Sequence, residues 1–286
     1  IRLVYGLKTD DVSYLGSFYP SRRLAEAALA LGMNYSATIH APGSSFDETA
    51  DFCEGHTALL RGELPAALYE NLEARGIAVV NGSAAVALAL DKWTTALWCA
   101  SIGAAHPATA RVDPGSNVTP MTPPFVAKPR SGKMGRGVFL VESDERWTAF
   151  LRSGEAQATE YLAQEFVASS RGKDVRFFFA RFGDDRSATA VSVVRRGPGL
   201  TSNAHAGGSM AWFDAPESLR AEAGRIFGAS GLVYGTVDFL FADEAGASFT
   251  VCELNACPGF EALERLGGID VARAILLAAA GAEGAS

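Results

Sequence analysis

Two apolar runs near the C-terminal end, Phe239-Leu240-Phe241 and Phe249-Thr250-Val251-Cys252, are separated by a short polar turn over residues 242–247. Runs this short, rich in aromatic and β-branched residues and divided by a turn, predict an antiparallel hairpin. What flanks them narrows the fold further: Asp238 precedes the first run, and Glu253-Leu254-Asn255 follows the second. Side chains two apart on a strand share a face, so Glu253 and Asn255 point the same way and Asp238 joins them from the partner strand. Carboxylates facing inward from apolar strands need a cation or a hydrogen-bond partner to offset desolvation. Two carboxylates and one amide carbonyl form an all-oxygen set that suits magnesium, completed by water and by substrate phosphates. A magnesium-nucleotide enzyme is the first expectation.

A chain of 286 residues, 48% of them hydrophobic, has ample core for one large domain or for two or three smaller ones. No apolar run reaches the roughly 18–20 residues of a membrane span, and residues 1–5 read as a strand instead of a signal segment. A cytoplasmic protein with no membrane partner is expected. A formal charge of −7 and a pI near 5.2 exclude a general nucleic-acid binder, because phosphate backbones favour a basic face. Cys53, Cys99, Cys252 and Cys257 show no CxxC or Cys/His pairing, which predicts buried free thiols in place of zinc sites or disulfides.

Along the chain, residues 1–5 read as a strand, 21–31 as a helix with Leu24, Ala28 and Leu31 on one stripe and Gly32 at its end, and 35–40 as a second strand. Residues 41–55 read as a polar connection leading to a helix over 65–75, closed by Gly76, and a strand over 77–80. Asn81-Gly82-Ser83 starts another helix, and 94–102 continues helically to Gly103. Five prolines within 106–124 mark a connector between domains. Residues 125–128 and 137–141 then predict a hairpin, followed by a helix capped by Ser143, burying Trp147, Phe150 and Leu151, and stopped by Gly154. Strands over 161–167, 175–181 and 189–195 and helices over 217–229 and 270–280 complete the pattern.

The turn inside the 125–141 hairpin carries Gly132, Gly135 and Gly137 with Arg130, Lys133 and Arg136, beside Lys128 on the strand. Amides freed by glycine approach phosphate closely while the cations supply charge, so the segment reads as a phosphate-covering loop. It is not a P-loop, since Met134 stands after Lys133 where that motif needs Ser or Thr. Gln164-Glu165-Phe166-Val167 can read an adenine edge with main-chain groups, and Asp174 within Gly172-Lys173-Asp174-Val175-Arg176 can accept ribose hydroxyls. His205 is the one histidine in a suggestive segment.

Taken in order, Val80-Asn81-Gly82, Asp91-Lys92, Val126-Ala127-Lys128-Pro129 with its glycine loop, Gln164-Glu165-Phe166-Val167, Gly172-Lys173-Asp174-Val175-Arg176, Ser202-Asn203-Ala204-His205-Ala206-Gly207-Gly208 and Glu253-Leu254-Asn255-Ala256-Cys257-Pro258-Gly259 resemble the ATP-grasp superfamily. Within it the likeness is to ribosomal protein S6 glutamate ligase-like (RimK-type) carboxylate-amine ligases, and it spans residues 77–275. The resemblance implies an α/β (α+β) ATP-grasp fold: an N-terminal domain over 1–88, a central lid over 89–167 and a metal-binding C-terminal domain over 168–286. It implies that Lys92 and Lys128 hold ATP phosphates, that Gln164, Glu165, Phe166 and Val167 contact adenine, that Asp174 takes the ribose, and that Arg176, Ser202 and Asn203 add nucleotide contacts. Asp238, Glu253 and Asn255 would bind two magnesium ions, with manganese as a substitute.

The chemistry implied is ATP-dependent joining of a carboxylate to an amine through an acyl phosphate, with an amino acid or peptide as substrate and self-association of the subunit. In-line phosphoryl transfer is largely positioning plus charge neutralisation, so the lack of a Ser/His/Asp or Cys/His constellation is consistent. Arg195 or Arg196 is the candidate cation for the tetrahedral oxyanion. The chain departs from the family where Thr201 and Ala206 replace two arginines, which makes the substrate its own question. Peptide tailoring or macrocyclisation, and nucleotide binding without ligation, are the alternatives.

Overall fold

Parallel strands need crossovers on the faces of their sheet, and the first eighty residues supply them in strict alternation. The computed structural model describes residues 1–113, 118–132, 135–181, 188–202 and 207–282. β1 (Arg2–Gly6), β2 (Ser36–His40), β3 (Ala58–Gly62) and β4 (Val79–Val80) form a parallel sheet in the order β2-β1-β3-β4. The crossovers are α1 (Tyr14–Ser17) with α2 (Tyr19–Ala30), then α3 (Phe46–Cys53), then α4 (Ala66–Ala74).

Two of these elements correct the sequence reading. Residues 41–55 are not simply a polar connection: α3 forms there, with Ser45 Oγ accepting from the Glu48 amide and Asp47 and Glu48 in the first turn. Its apolar stripe is short, with only Thr49, Ala50 and Cys53 buried, so periodicity did not reveal it. β3 went unread because a central parallel strand is covered on both faces and shows no alternation; Ala58, Leu59, Leu60 and Arg61 are all buried.

α5 (Ser83–Leu90) and α6 (Lys92–Ser101) meet at Asp91, whose carboxylate accepts from the amides of Trp93 and Thr94 and so starts the second helix at Lys92. A second sheet follows: β5 (Thr109–Arg111), β6 (Phe125–Pro129), β7 (Phe139–Val141) and β8 (Tyr161–Glu165), antiparallel in the order β5-β8-β6-β7. Thus the proline-rich 106–124 stretch is partly sheet, because β5 pairs with β8. α7 (Asp144–Leu151) is capped by Ser143 as expected, but Gly154 does not stop it: Ser153 caps a further short helix, α8 (Gly154–Ala158). This sheet has its own core, in which Trp147, 1% exposed, meets Phe125 and Phe150 at centroid distances of 5.4 Å.

The third sheet is antiparallel, β11-β10-β9-β12-β13, from β9 (Lys173–Arg181), β10 (Ala188–Arg196), β11 (Ser209–Trp212), β12 (Tyr234–Phe241) and β13 (Phe249–Asn255). α9 (Glu217–Ala229) covers one face, where Val175, Phe177 and Phe179 pack with Ala223, Ile226 and Phe227. α10 (Glu261–Arg265) and α11 (Val271–Gly281) belong to the other face, where Phe178, Tyr234 and Phe260 pack with Ile275 and Leu276. Phe177, Phe178 and Phe239 are each at most 2% exposed, and burying such a ring contributes about 1.5–3 kcal/mol. Both cores continue into the N-terminal sheet, one through Val4 and Leu60 and the other through Leu3, Tyr5 and Leu59. The first and third sheets therefore share cores, while the second keeps a core apart, and the site lies where all three meet. Among the described residues no helix is long and apolar enough to cross a membrane.

Candidate functional site

Register does what the hairpin prediction required: Asp238 on β12 lies directly opposite Glu253 on β13, and Thr236 opposite Asn255. The ladder then shifts, so that Phe239 pairs with Val251 and Cys252 is the extra residue of a bulge. This shift lets Val251 face the α9 core while Glu253, two residues on, faces Asp238. On the next strand Arg176 pairs with Asp238, and Asp174, two residues before, pairs with Arg195 of β10. One face of four adjacent strands thus carries Arg195, Asp174, Arg176, Asp238 and Glu253.

The charges are closely matched. Arg176 Nε and Nη2 donate to Asp238 Oδ1 and Oδ2 at 2.8 and 2.6 Å. Arg195 Nε and Nη2 donate to Asp174 Oδ1 and Oδ2 at 2.7 and 2.6 Å, and Nη2 also reaches Asp238 Oδ2 at 2.8 Å. Ser202 Oγ donates to Asp174 Oδ2 at 2.5 Å. Burial alone would raise the titration of Asp238; Arg176 and Arg195 outweigh it and hold the carboxyl below its ordinary value. Glu253 is the exception. Half-buried and beside Asp238, it makes no hydrogen bond or ion pair among the described residues, and burial and then the Asp238 charge push its carboxyl up. Asn255 Oδ1 accepts from the Cys257 amide at 3.0 Å, which orients the side chain and leaves a lone pair.

Lys128 and Lys92 approach this row from the lid side. Lys128 is 6% exposed and donates to Gln164 Oε1 at 2.7 Å, and burial lowers its titration. Gln164 in turn donates to Thr109 Oγ1 at 3.0 Å, so β5 fixes the group that fixes the lysine. Lys92 Nζ donates to Gly132 O at 2.9 Å in the glycine loop, and it lies near enough to Glu253 to favour its charged form. Cys252, from the bulge, sits beside Lys128; burial pushes its thiol up to about 12. His106, near Gln164 and Lys128, is driven down to about 4 by burial and by the lysine charge.

Other expected residues fall differently. Arg130 is not a free phosphate cation: it grips Asp91 bidentately at 2.9 and 2.5 Å and Glu160 at 2.8 Å, clamping the lid loop to the start of α6. Arg196 is exposed on the face opposite Arg195 and lies outside the cluster. Asp174, expected at a ribose, is 6% exposed and engaged by Arg195 and Ser202, so a ribose contact would require it to release one of them. Glu165 is exposed and its amide donates to Ala108 O at 2.8 Å, while Phe166 and Val167 are both half-buried. Lys133, Met134, Asn203 and His205 lie outside the described residues. An open groove of about 770 Å³ between Arg111 and Glu160, on the lid, contains none of the cluster.

The pairing of Arg176 with Asp238 was not anticipated, and neither were Arg61 and Asn81, which reach this region from the N-terminal sheet. Asn81 was visible only as part of a motif. Arg61 had no cue beyond a charge inside an apolar run. The four cysteines are free, as expected, but only Cys53 and Cys99 are buried, while Cys252 and Cys257 are half-buried. Among the described residues no three His, Cys, Asp or Glu side chains converge on one point; Asp238 and Glu253 lie opposite each other across the ladder, and Asn255 follows two residues later on β13.

Comparison with known proteins matches residues 110–279 to the RimK-like ATP-grasp domain. A probable alpha-L-glutamate ligase of Pasteurella multocida (strain Pm70) is 28% identical over 214 residues, 73% of this chain and 66% of that protein, so the chain spans just under two thirds of that relative. One from Xanthomonas oryzae pv. oryzae (strain MAFF 311018) is 30% identical over 73% of this chain and 71% of its own length. Among solved structures, a D-alanine–D-alanine ligase from Bacillus anthracis complexed with ATP aligns with TM-score 0.72 at 13% identity, over 100% of this chain and 97% of that one. A RimK domain ATP-grasp protein from Sphaerobacter thermophilus DSM 20745 aligns with TM-score 0.70 at 22% identity, over 99% and 100%. These structural likenesses show a mixed α/β ATP-grasp fold.

Proposed function

This chain belongs to the RimK-like ATP-grasp family, and from that premise we propose that it joins a carboxylate to an amine with cleavage of ATP to ADP and phosphate. The observation that supports this most directly is Glu253: a half-buried carboxylate without a hydrogen bond or ion pair among the described residues, opposite Asp238 and near Lys92. Such a group favours a cation brought with a ligand. The donor set fits magnesium. Asp238 has three of its roughly four acceptor positions filled by arginines and keeps one, Glu253 has all of its own, and Asn255 keeps a carbonyl lone pair. Asp238, Glu253 and Asn255 would hold one or two magnesium or manganese ions, which supply positive charge against the nucleotide phosphates.

In this reading Lys92 and Lys128 bind phosphate oxygens, the lysine of β6 exchanging Gln164 for the nucleotide, while the 164–167 hinge borders the adenine. A carboxylate oxygen of the substrate attacks the γ-phosphorus, the bond to ADP breaks, and an acyl phosphate results. The amine then attacks the acyl carbon, phosphate leaves, and the amine nitrogen loses a proton to give the amide. In this reading Arg195, held in place by Asp174 and Asp238, would stabilise the tetrahedral oxyanion, and Arg196, exposed on the opposite face, would not. Ser202 holds Asp174, and Arg176 keeps Asp238 ionised.

The names of the relatives make glutamate the first amino acid to try. The test is ADP release with ATP and magnesium across amino acids and short peptides, with mass spectrometry of each positive reaction. Products equal to the sum of two substrates minus water support ligation, and a single peptide that loses water identifies macrocyclisation. ATP binding with no ADP released across glutamate, the other amino acids and peptides would refute the ligase assignment.

A further inference from the structure

The residue that orients the end of the cation site is anchored from another domain. Asn255 takes its orientation from the Cys257 amide, and the three residues after it are each held by the N-terminal sheet. Asn81 Nδ2 donates to Ala256 O at 2.8 Å, the Gly62 amide donates to Cys257 Sγ at 3.4 Å, and Arg61 Nη2 donates to Pro258 O at 2.8 Å. Asn81 also binds the start of β12, the strand that carries Asp238. Its Nδ2 donates to Tyr234 O at 2.9 Å, and its Oδ1 accepts from the Val233 and Tyr234 amides at 2.7 and 3.2 Å. Every hydrogen-bonding position of this 1%-exposed amide is thereby used to fasten β12 and β13 together at the ends nearest Asn255.

Arg61 is the costlier choice. It is 1% exposed, its Nη1 donates to the Tyr234 hydroxyl at 3.0 Å, and its guanidinium lies 5.6 and 5.3 Å from the ring centroids of Tyr234 and Phe260. Among the described residues it forms no ion pair with a carboxylate, and its Nε has no hydrogen-bond partner. Burying a cation without an anion carries a desolvation penalty, and the first and third sheets, which already share cores through Leu3, Leu59 and Leu60, do not need one for adhesion. What Arg61 adds is a directed contact to one carbonyl, that of Pro258.

We propose that Arg61 and Asn81 are positioning residues of the nucleotide-metal site: docking of the N-terminal sheet sets the turn after Asn255, and the cation site is complete only while that contact holds. The proposal rests on the reading of Asp238, Glu253 and Asn255 given above. It assigns the N-terminal sheet a part in metal affinity although none of its side chains belongs to the metal set. The adenine hinge and Lys128 lie in the lid and make none of these contacts, so nucleotide binding without metal should be indifferent to Arg61 and Asn81.

Titration calorimetry with ADP, in chelator and in magnesium, separates the two. In Arg61→Met and Asn81→Ser, ADP affinity in chelator should stay within about twofold, while the gain on adding magnesium should fall about tenfold, as for partners that orient metal ligands. Arg61→Lys, which can still donate to Pro258 O and perturbs the fold least, should retain part of that gain and guards against a misfolded Met variant. A folded Arg61→Lys and Asn81→Ser pair with an undiminished magnesium gain would overturn the proposal, as would equal losses with and without magnesium. A wild-type protein whose ADP affinity ignores magnesium would instead remove the metal reading itself, and the proposal with it.

Discussion

Replacing Arg195 by Met removes the one side chain among the described residues that bridges Asp174 and Asp238, which are 6% and 0% exposed. The two carboxylates do not suffer equally. Asp238 keeps both bonds from Arg176, whereas Asp174 keeps only Ser202 among the described residues. Breaking a buried pair from one side costs about 3–5 kcal/mol, most of it the desolvation of the charge left behind. That charge is Asp174, so Asp174→Asn in the Arg195→Met background should return about 2 kcal/mol or more, although Asp174→Asn alone is destabilising. The cycle is read by urea unfolding at low salt, with amide exchange of β9 and β10 confirming that the third sheet is the unit that opens. Guanidinium chloride is avoided because its ions screen the effect. Losses that simply add, or a single Arg195→Met loss under about 1 kcal/mol, would refute the argument that these charges form one buried network.

Three other outcomes follow from the same structure. His106 titrates near 4 in the fold against an ordinary 6.5, so its contribution is fully present above about 6.5 and is lost as pH falls toward 4. Urea midpoints at pH 7 and 4.5 should show a loss of about 2 kcal/mol that His106→Gln removes, and an unchanged acid limb in the variant would contradict the burial. Trp147→Ala should cost about 3–5 kcal/mol, confined to the lid because the second sheet keeps its own core; exchange of β9 or β12 amides accelerating together with β6 would show the cores to be coupled. Glu253→Gln should leave the metal-free melting temperature unchanged or higher, since burial and Asp238 already oppose its charge, while the magnesium-linked gain in ADP affinity disappears. A variant that melts lower and still binds ADP better with magnesium would take Glu253 out of the site.

The amino-acid order alone determined the local features. The 242–247 turn set β12 against β13, Ser143 started its helix, and alternation put Glu253 and Asn255 on one face. These are consequences of period and capping within a few residues, and they were legible for that reason. The order of the lysines, hinge and acidic residues likewise stood in the chain before any fold was known. Tertiary structure decided where each charge went. Arg176 and Asp238 are 62 residues apart, Arg195 and Asp238 are 43, and Arg130 and Asp91 are 39, and each pair meets only through sheet register or domain docking. That is why Arg130 became a clamp, Arg196 was left outside, and Asp174 was drawn to Arg195. The bulge at Cys252, the buried β3 strand and the grip of Arg61 and Asn81 on the turn after Asn255 have the same origin. A strand's sequence tells which side chains share a face, but the partner across that face is chosen by a distant segment whose docking is set by the packing of the whole core.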